Sequence, residues 1–286
     1  MSRWSYVNGA YLPHSRAAVS IEDRGFQLGD SIYEVWPVRG GRLRDYEGHL
    51  ARYRRGLAEL RIATPMTDAA LLAVLKETMR RNRVREGIVY LQVSRGAAPR
   101  DHAFTPPNLR PTIVVSARNL DRRGGERRAR DGVRIITAPD QRWARCDIKS
   151  VNLLPNVLAK QAAREAGAFE AWLVDAEGFV TEGASTSAWI LDAGGALRTR
   201  DLSERILHGV TRAAIMHVAR ESGVRVAERA FTVSEALAAR EAFITSAGNP
   251  VVPVVAIDGK PIGDGRPGAL TQALRDRYLS AEAGLD

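Results

Sequence analysis

Paired turn residues break the sequence into short β-forming runs, and this punctuation favours folds built on antiparallel hairpins. Residues 3–7 are followed by Asn8-Gly9 and a return run over 10–12. Residues 32–38 are followed by Gly40-Gly41 and a return over 42–45. Asn-Gly and Gly-Gly supply the backbone conformations that two-residue turns demand. Helical spacing then takes over. Leu50, Tyr53, Leu57 and Leu60 share one face, and Asp45 stands where an N-cap is needed, so a helix is predicted over 46–60. Leu71, Leu72, Leu75 and Met79 predict a second helix over 68–81. Strands over 88–93 and 112–116 flank a Pro-rich loop at 97–111; a loop of that length is more often functional than idle.

Residues 119–130 are polar, contain Gly124-Gly125 and lack apolar periodicity. They predict an interdomain linker between a small domain over 1–118 and a larger one over 131–286. In the larger part, 133–137 reads as a strand, and Pro155 opens a helix that Gly167 closes. A hairpin is predicted over 170–174 and 179–181 about Glu177-Gly178. Further strands fall at 187–191, 197–199, 224–228, 243–246 and 254–257, with helices at 210–222 and 269–279. Hairpins mixed with helices predict an α+β fold in two domains.

The 286 residues are enough for a well-filled core. No apolar run approaches the roughly 20 residues needed to cross a bilayer, residues 1–7 carry no signal-peptide pattern, and the single cysteine, Cys146, suits a reducing compartment; a cytoplasmic protein is expected. The net charge of +9 raises the question of nucleic acid. The basic residues are nearly all Arg and are scattered among acids, as in Arg220-Glu221 and Arg240-Glu241. The densest stretch, 118–134, also carries Asp121, Glu126 and Asp131 and reads as a solvated segment, so no nucleic-acid partner is expected. The histidines lack ligand spacing and no metal site is expected. Trp143 and Trp172 are expected in the core.

Only four lysines are present: Lys76, Lys149, Lys160 and Lys260. Taken alone, each is most simply a surface residue. Lys149, however, ends a stretch of β character between Ile148 and Val151, which would hold it rigidly and partly desolvate its amine. Four other patterns point to one chemistry. Glu182 follows a strand and precedes Gly183, where a carboxylate would keep a cofactor pyridine nitrogen protonated. His208-Gly209-Val210-Thr211 starts a helix with a glycine, leaving N–H groups for an anion. Ser246-Ala247-Gly248-Asn249 is a small-residue turn suited to the same phosphate, and Arg52 would supply a cation. Finally, Arg100 and His102 alternate in the Pro-rich loop and would clamp a carboxylate.

Together these segments resemble the fold-type-IV pyridoxal-phosphate aminotransferases, closest to their D-amino-acid aminotransferase branch. The resemblance spans nearly the whole chain. It is carried by Glu22-Asp23-Arg24-Gly25-Phe26-Gln27-Leu28-Gly29-Asp30, Tyr33-Glu34-Val35, residues 142–161, Thr181-Glu182-Gly183 and Gly209-Val210-Thr211-Arg212. It implies a small N-terminal α/β domain and a larger C-terminal pseudo-barrel domain. It implies that Lys149 forms the Schiff base with pyridoxal 5'-phosphate and shuttles the proton. Glu182 would face the ring nitrogen and Leu207 would pack on the ring. Arg52, Val210, Thr211, Ser246 and Ala247 would hold the phosphate, and Tyr33, Arg100 and His102 would trap the substrate carboxylate. It further implies a homodimer in which the loop of Arg100 and His102 is contributed across the interface. The activity implied is transamination between a D-amino acid and a 2-oxo acid, such as D-alanine with 2-oxoglutarate. Branched-chain L-amino-acid transamination and an aminodeoxychorismate lyase are the alternatives. Three positions depart from close relatives: Pro155 where Gly is frequent, Ala247 where some carry a hydroxyl, and Asp101 within the carboxylate trap.

Overall fold

The computed structural model describes residues 3–104, 109–280 and 284–285. The chain divides into two compact units. The first comprises Met1–Leu120, Ile148–Asn152 and Ala283–Asp286; the second comprises Asp121–Asp147 and Leu153–Glu282.

The first unit is an antiparallel sheet covered by helices. Its strands are β1 (Trp4–Val7), β2 (Ala10–Pro13), β3 (Ser31–Arg39), β4 (Arg42–Arg44), β5 (Gly87–Ser94) and β6 (Thr112–Asn119). From one edge the order is Gly284–Leu285, β4, β3, β5, β6, β1, β2. Both turns read from sequence are present, with positive φ at Asn8 (47°), Gly9 (103°), Gly40 (59°) and Gly41 (80°). Helices α1 (Arg24–Leu28), α2 (Tyr46–Glu59) and α3 (Asp68–Arg81) complete the unit. Along β3 the side chains alternate. Ile32, Trp36 and Val38 join Leu50, Tyr53 and Leu57 of α2 in the core, while Tyr33 and Val35 lie on the opposite face, half-buried. Asp45 does precede α2, but its side chain makes no cap bond; its carbonyl accepts from His49 N at 3.2 Å instead, with φ at +50°.

The second unit holds β7 (Val133–Pro139), β8 (Glu170–Val174), β9 (Phe179–Gly183), β10 (Ser187–Leu191), β11 (Leu197–Thr199), β12 (Val226–Glu228), β13 (Phe231–Thr232), β14 (Glu241–Ser246), β15 (Asn249–Ile257) and β16 (Lys260–Pro261). They form one ten-stranded mixed sheet in the order β12-β11-β10-β14-β15-β7-β8-β9-β13, with β16 on β15. Its helices are α4 (Arg122–Asp131), α5 (Leu154–Glu165), α6 (Val210–Glu221), α7 (Val233–Leu237) and α8 (Ala269–Ser280). Both faces of the sheet are buried. Ala188 and Ile190 of β10 enter one apolar cluster with Trp172 and Phe231, whereas Trp189 enters another with Phe243, Ile215 and Leu274. Trp189 stacks on Phe243 at 5.4 Å and donates its indole N–H to Thr245 Oγ1 at 3.0 Å. Trp189→Ala therefore costs about 3–5 kcal/mol of stability, read as a lowered midpoint in chemical denaturation.

Three expectations need correction. Residues 119–130 are not a linker: β6 runs to Asn119, and α4 begins after Asp121, whose carboxylate accepts from Gly124 N at 3.0 Å. Its inward stripe is Gly124, Gly125, Arg128 and Ala129, so small residues and one arginine take the place of the apolar spacing that normally reveals a helix. The larger domain does not run unbroken from 131, because residues 148–152 belong to the first unit. Trp143 is 40% exposed, whereas Trp172 is fully buried.

Candidate active site

Lys149 lies outside any strand but is fixed like one. Tyr33 N donates to Lys149 O at 3.0 Å, and Val151 N donates to Ser31 O at 3.1 Å, which docks 148–152 onto the start of β3. Ile148 plugs the first unit's core. The Lys149 Nζ stands 4.2 Å from the centroid of the Tyr33 ring, and that ring stacks on Tyr90 at 5.7 Å. The Lys149 amine thus stands against the Tyr33 phenol ring.

Glu34, on the core face, pairs with α2. Arg52 donates from Nε to Oε2 at 2.9 Å and from Nη2 to Oε1 at 2.6 Å, while His49 Nδ1 lies 2.9 Å from Oε1. Burial alone would raise the Glu34 carboxyl; the Arg52 and His49 partners outweigh it and hold it well below the usual carboxylate range. This stabilisation is complete above the unfolded carboxylate value and is lost as pH falls through the lowered one. The sequence places His49 on the same helix face as Arg52, but not Glu34 as the partner of both. Arg100 and His102 are both exposed, and Asp101 turns its carboxylate back on the loop, accepting from Ala103 N at 3.0 Å.

In the second unit, Glu182 is 6% exposed at the end of β9. Its Oε1 accepts from Leu207 N at 3.0 Å and from Arg142 Nη1. Arg142 is in turn gripped by Asp140, from Nε at 2.9 Å and Nη2 at 2.8 Å, and Thr181 Oγ1 donates to Asp140 at 2.7 Å. Burial works against the Arg142 charge, but Asp140 and Glu182 overcome it and raise its pKa, so it stays a cation beside Glu182. Arg142 and Asp140 went unassigned from sequence, although Arg142 opens its most diagnostic stretch.

Gly209 caps α6 without any side-chain bond, and a Cβ there would sit 3.0 Å from Ser187 Oγ. Ser187 pairs with Thr245, the residue before Ser246, so the start of α6 and the Ser246–Asn249 turn meet at one end of the sheet. Thr211 is buried, Leu207, Val210 and Ala247 are half-buried, and the Ser246 hydroxyl accepts from Asn249 N at 3.2 Å. Exposed N–H groups at a bare helix start are suited to a phosphate.

Known proteins give this arrangement its class. The model of the amino-transferase class IV family matches residues 31–257. The chain belongs to that family and is a pyridoxal-phosphate-dependent transaminase. It is similar to the D-alanine aminotransferase of Bacillus licheniformis, 42% identical over 96% of this chain and 97% of that one. The corresponding protein of Staphylococcus haemolyticus is 37% identical over 96% and 95%. Among solved structures, a branched-chain amino acid aminotransferase of T.th. with pyridoxamine 5'-phosphate superposes at a TM-score of 0.89 and 28% identity, covering 99% of this chain and 95% of that one. The Escherichia coli branched-chain enzyme shares the fold at 0.89 and 20% identity, covering 98% and 94%.

The residues present fit the cofactor in each unit: a side-chain amine against a phenol in the first, a buried carboxylate and an uncapped glycine-started helix in the second. Cys146 is buried, as a small apolar residue would be. Burial pushes its thiol up to about 11, and it contacts Trp143 O at 3.1 Å. Iodoacetamide at pH 8 is expected to leave the folded protein unlabelled and to label it fully once unfolded; rapid labelling of native protein contradicts this.

Proposed function

We propose that this chain transfers the amino group of a D-amino acid, D-alanine foremost, to a 2-oxo acid such as 2-oxoglutarate, with Lys149 as its catalytic residue. Support for the D-amino-acid choice comes from the 42% and 37% identity to two D-alanine aminotransferases over nearly whole chains. The branched-chain structures share the fold at lower identity, which favours no substrate. The observation that carries the role of Lys149 is its amine, set 4.2 Å from the Tyr33 ring on a segment bonded to β3.

When bound, the cofactor supplies an electron-accepting ring for charge left at the substrate Cα. Lys149 would hold that cofactor through Nζ and would carry the proton away from the substrate Cα. Glu182, fixed by Arg142 and Leu207 N, keeps the ring nitrogen protonated. Arg52, Val210, Thr211, Ser246 and Ala247 hold the phosphate. Leu207 packs on the ring. Tyr33, Arg100 and His102 receive the substrate carboxylate. The purified yellow holoenzyme should bleach with D-alanine and not with L-leucine; bleaching by L-leucine alone transfers the assignment to branched-chain chemistry.

Arg100→Ala should raise KM for D-alanine by about tenfold to a hundredfold, the loss of one charge-assisted carboxylate contact, with little change for amines lacking a carboxylate. An equal effect on both substrates removes the clamp.

The active unit is proposed to be a homodimer in the cytoplasm, each chain lending its Arg100 and His102 to the other. Both side chains are exposed, and α5 presents Leu154, Val157 and Leu158 as an outward apolar row, 68%, 57% and 58% exposed. Sedimentation should report about twice the 31.3 kDa chain mass.

A further inference from the structure

The loop of Arg100 and His102 is held from behind by three charged side chains that the chemistry above does not use. Arg24, at the start of α1, is 3% exposed at its side chain, Arg95 8% and Asp30 11%. Asp30 is the hub. It accepts from Arg24 Nε at 2.8 Å and from Arg95 through Nε at 2.7 Å and Nη2 at 2.9 Å. Burial alone would raise its carboxyl, but these bonds hold it below the usual range.

Two cations on one buried anion leave an excess of positive charge, and main-chain carbonyls absorb it. Arg95 donates to Arg61 O at 2.9 Å and Leu60 O at 2.6 Å, where α2 ends. Arg24 reaches the other way, to Asp101 O at 2.6 Å and His102 O at 3.4 Å. One guanidinium thus fixes the peptide planes on both sides of the His102 Cα. The Phe104 ring then lies 3.7 Å from the Arg95 guanidinium, a second hold on the loop two residues after His102. Asp30 also precedes β3, on which Tyr33 stands three residues later.

We propose that the Arg24–Asp30–Arg95 cluster is a positioning device that sets the direction of the Arg100 and His102 side chains and so the affinity for the substrate carboxylate. The proposal rests on the carboxylate-binding role given to those two residues above. A cluster serving stability alone has no need to engage the loop's carbonyls, and buried ion pairs are poor sources of stability beside apolar packing. Arg24, as a planar fork, can bridge Asp30 and two carbonyls at once; lysine, a point charge, cannot.

The test compares Arg24→Met and Arg24→Lys holoenzymes with the parent. Both are expected to raise KM for D-alanine and the inhibition constant of propionate together, by about tenfold, since small misplacements of a binding group carry effects of that order or more. Turnover at saturation should change by less than about threefold, the pattern of a lost ground-state contact. The affinity of methylamine, which reaches the cofactor amine chemistry without a carboxylate, should not move. Amide hydrogen exchange over residues 98–104 should quicken. Should Arg24→Met fail to fold, Arg24→Lys, which retains the ion pair, carries the same readings. Equal losses for methylamine and propionate, or no change in either constant, overturn the proposal. Arg100→Ala in the same panel separates the two levels. If it weakens propionate selectively while the Arg24 variants do not, only the positioning role falls. If it leaves propionate binding unchanged, the clamp falls and the positioning role with it.

Discussion

Lys149→Ala should fold normally and lose D-alanine turnover by a factor of at least about 10⁴, the upper range for removing a positioned acid–base group. The fold is expected to survive because the docking of 148–152 is made by main chain and by Ile148. Tyr33 N bonds to Lys149 O, Val151 N to Ser31 O, and Ile148 fills the core, none of which involves the lysine side chain. The chemistry fails because the other lysines cannot substitute. Lys160 is engaged with Phe169 O at 2.5 Å and with Glu170 at 3.2 Å, and Lys76 and Lys260 lie on α3 and β16. The variant should keep its melting temperature and lose the yellow chromophore of covalently held cofactor. Added methylamine should restore part of the turnover by supplying the missing base from solution. Near-normal activity in Lys149→Ala, or loss of the folded state without rescue, removes the assignment.

Glu182→Gln is expected to lower kcat by about 10²–10³-fold, the range for losing one preorganised electrostatic partner of developing charge. Glutamine retains an oxygen that can accept from Leu207 N, so the local backbone should hold. What changes is sign. Arg142 remains a cation, kept so by Asp140, and now faces a neutral amide. A positive neighbour without the intervening carboxylate disfavours protonation of the ring nitrogen. Absorbance titration should therefore show that nitrogen losing its proton at lower pH than in the parent. A kcat within about twofold of the parent leaves Glu182 without the role given to it.

Much of this was legible in the sequence because turn residues and chemistry-bearing residues announce themselves locally. Asn8-Gly9 and Gly40-Gly41 marked both N-terminal hairpins, and Thr181-Glu182-Gly183 and Gly209-Val210-Thr211 sit at the strand end and helix start that their residues predict. What escaped depends on distant contacts. Helix α4 was invisible because its buried stripe is glycine, alanine and an arginine whose guanidinium lies 5.1 Å from Phe169. Arg142 acquires meaning only when β9 brings Glu182 to it, 40 residues on. Asp30 and Arg95, 65 residues apart, reveal their pairing only in space. The stretch before Lys149 reads as β in the sequence but forms no strand; main-chain bonds to β3 hold it instead.

That last arrangement bears on how the polypeptide is made. Among the described residues, Ile148 completes a hydrophobic interior whose other members lie before residue 118. During synthesis about thirty residues beyond Leu120 must therefore emerge before this interior can close. A fragment ending at residue 120 should behave as an expanded, dye-binding globule, and a synthetic peptide covering 145–153, added in trans, should tighten it.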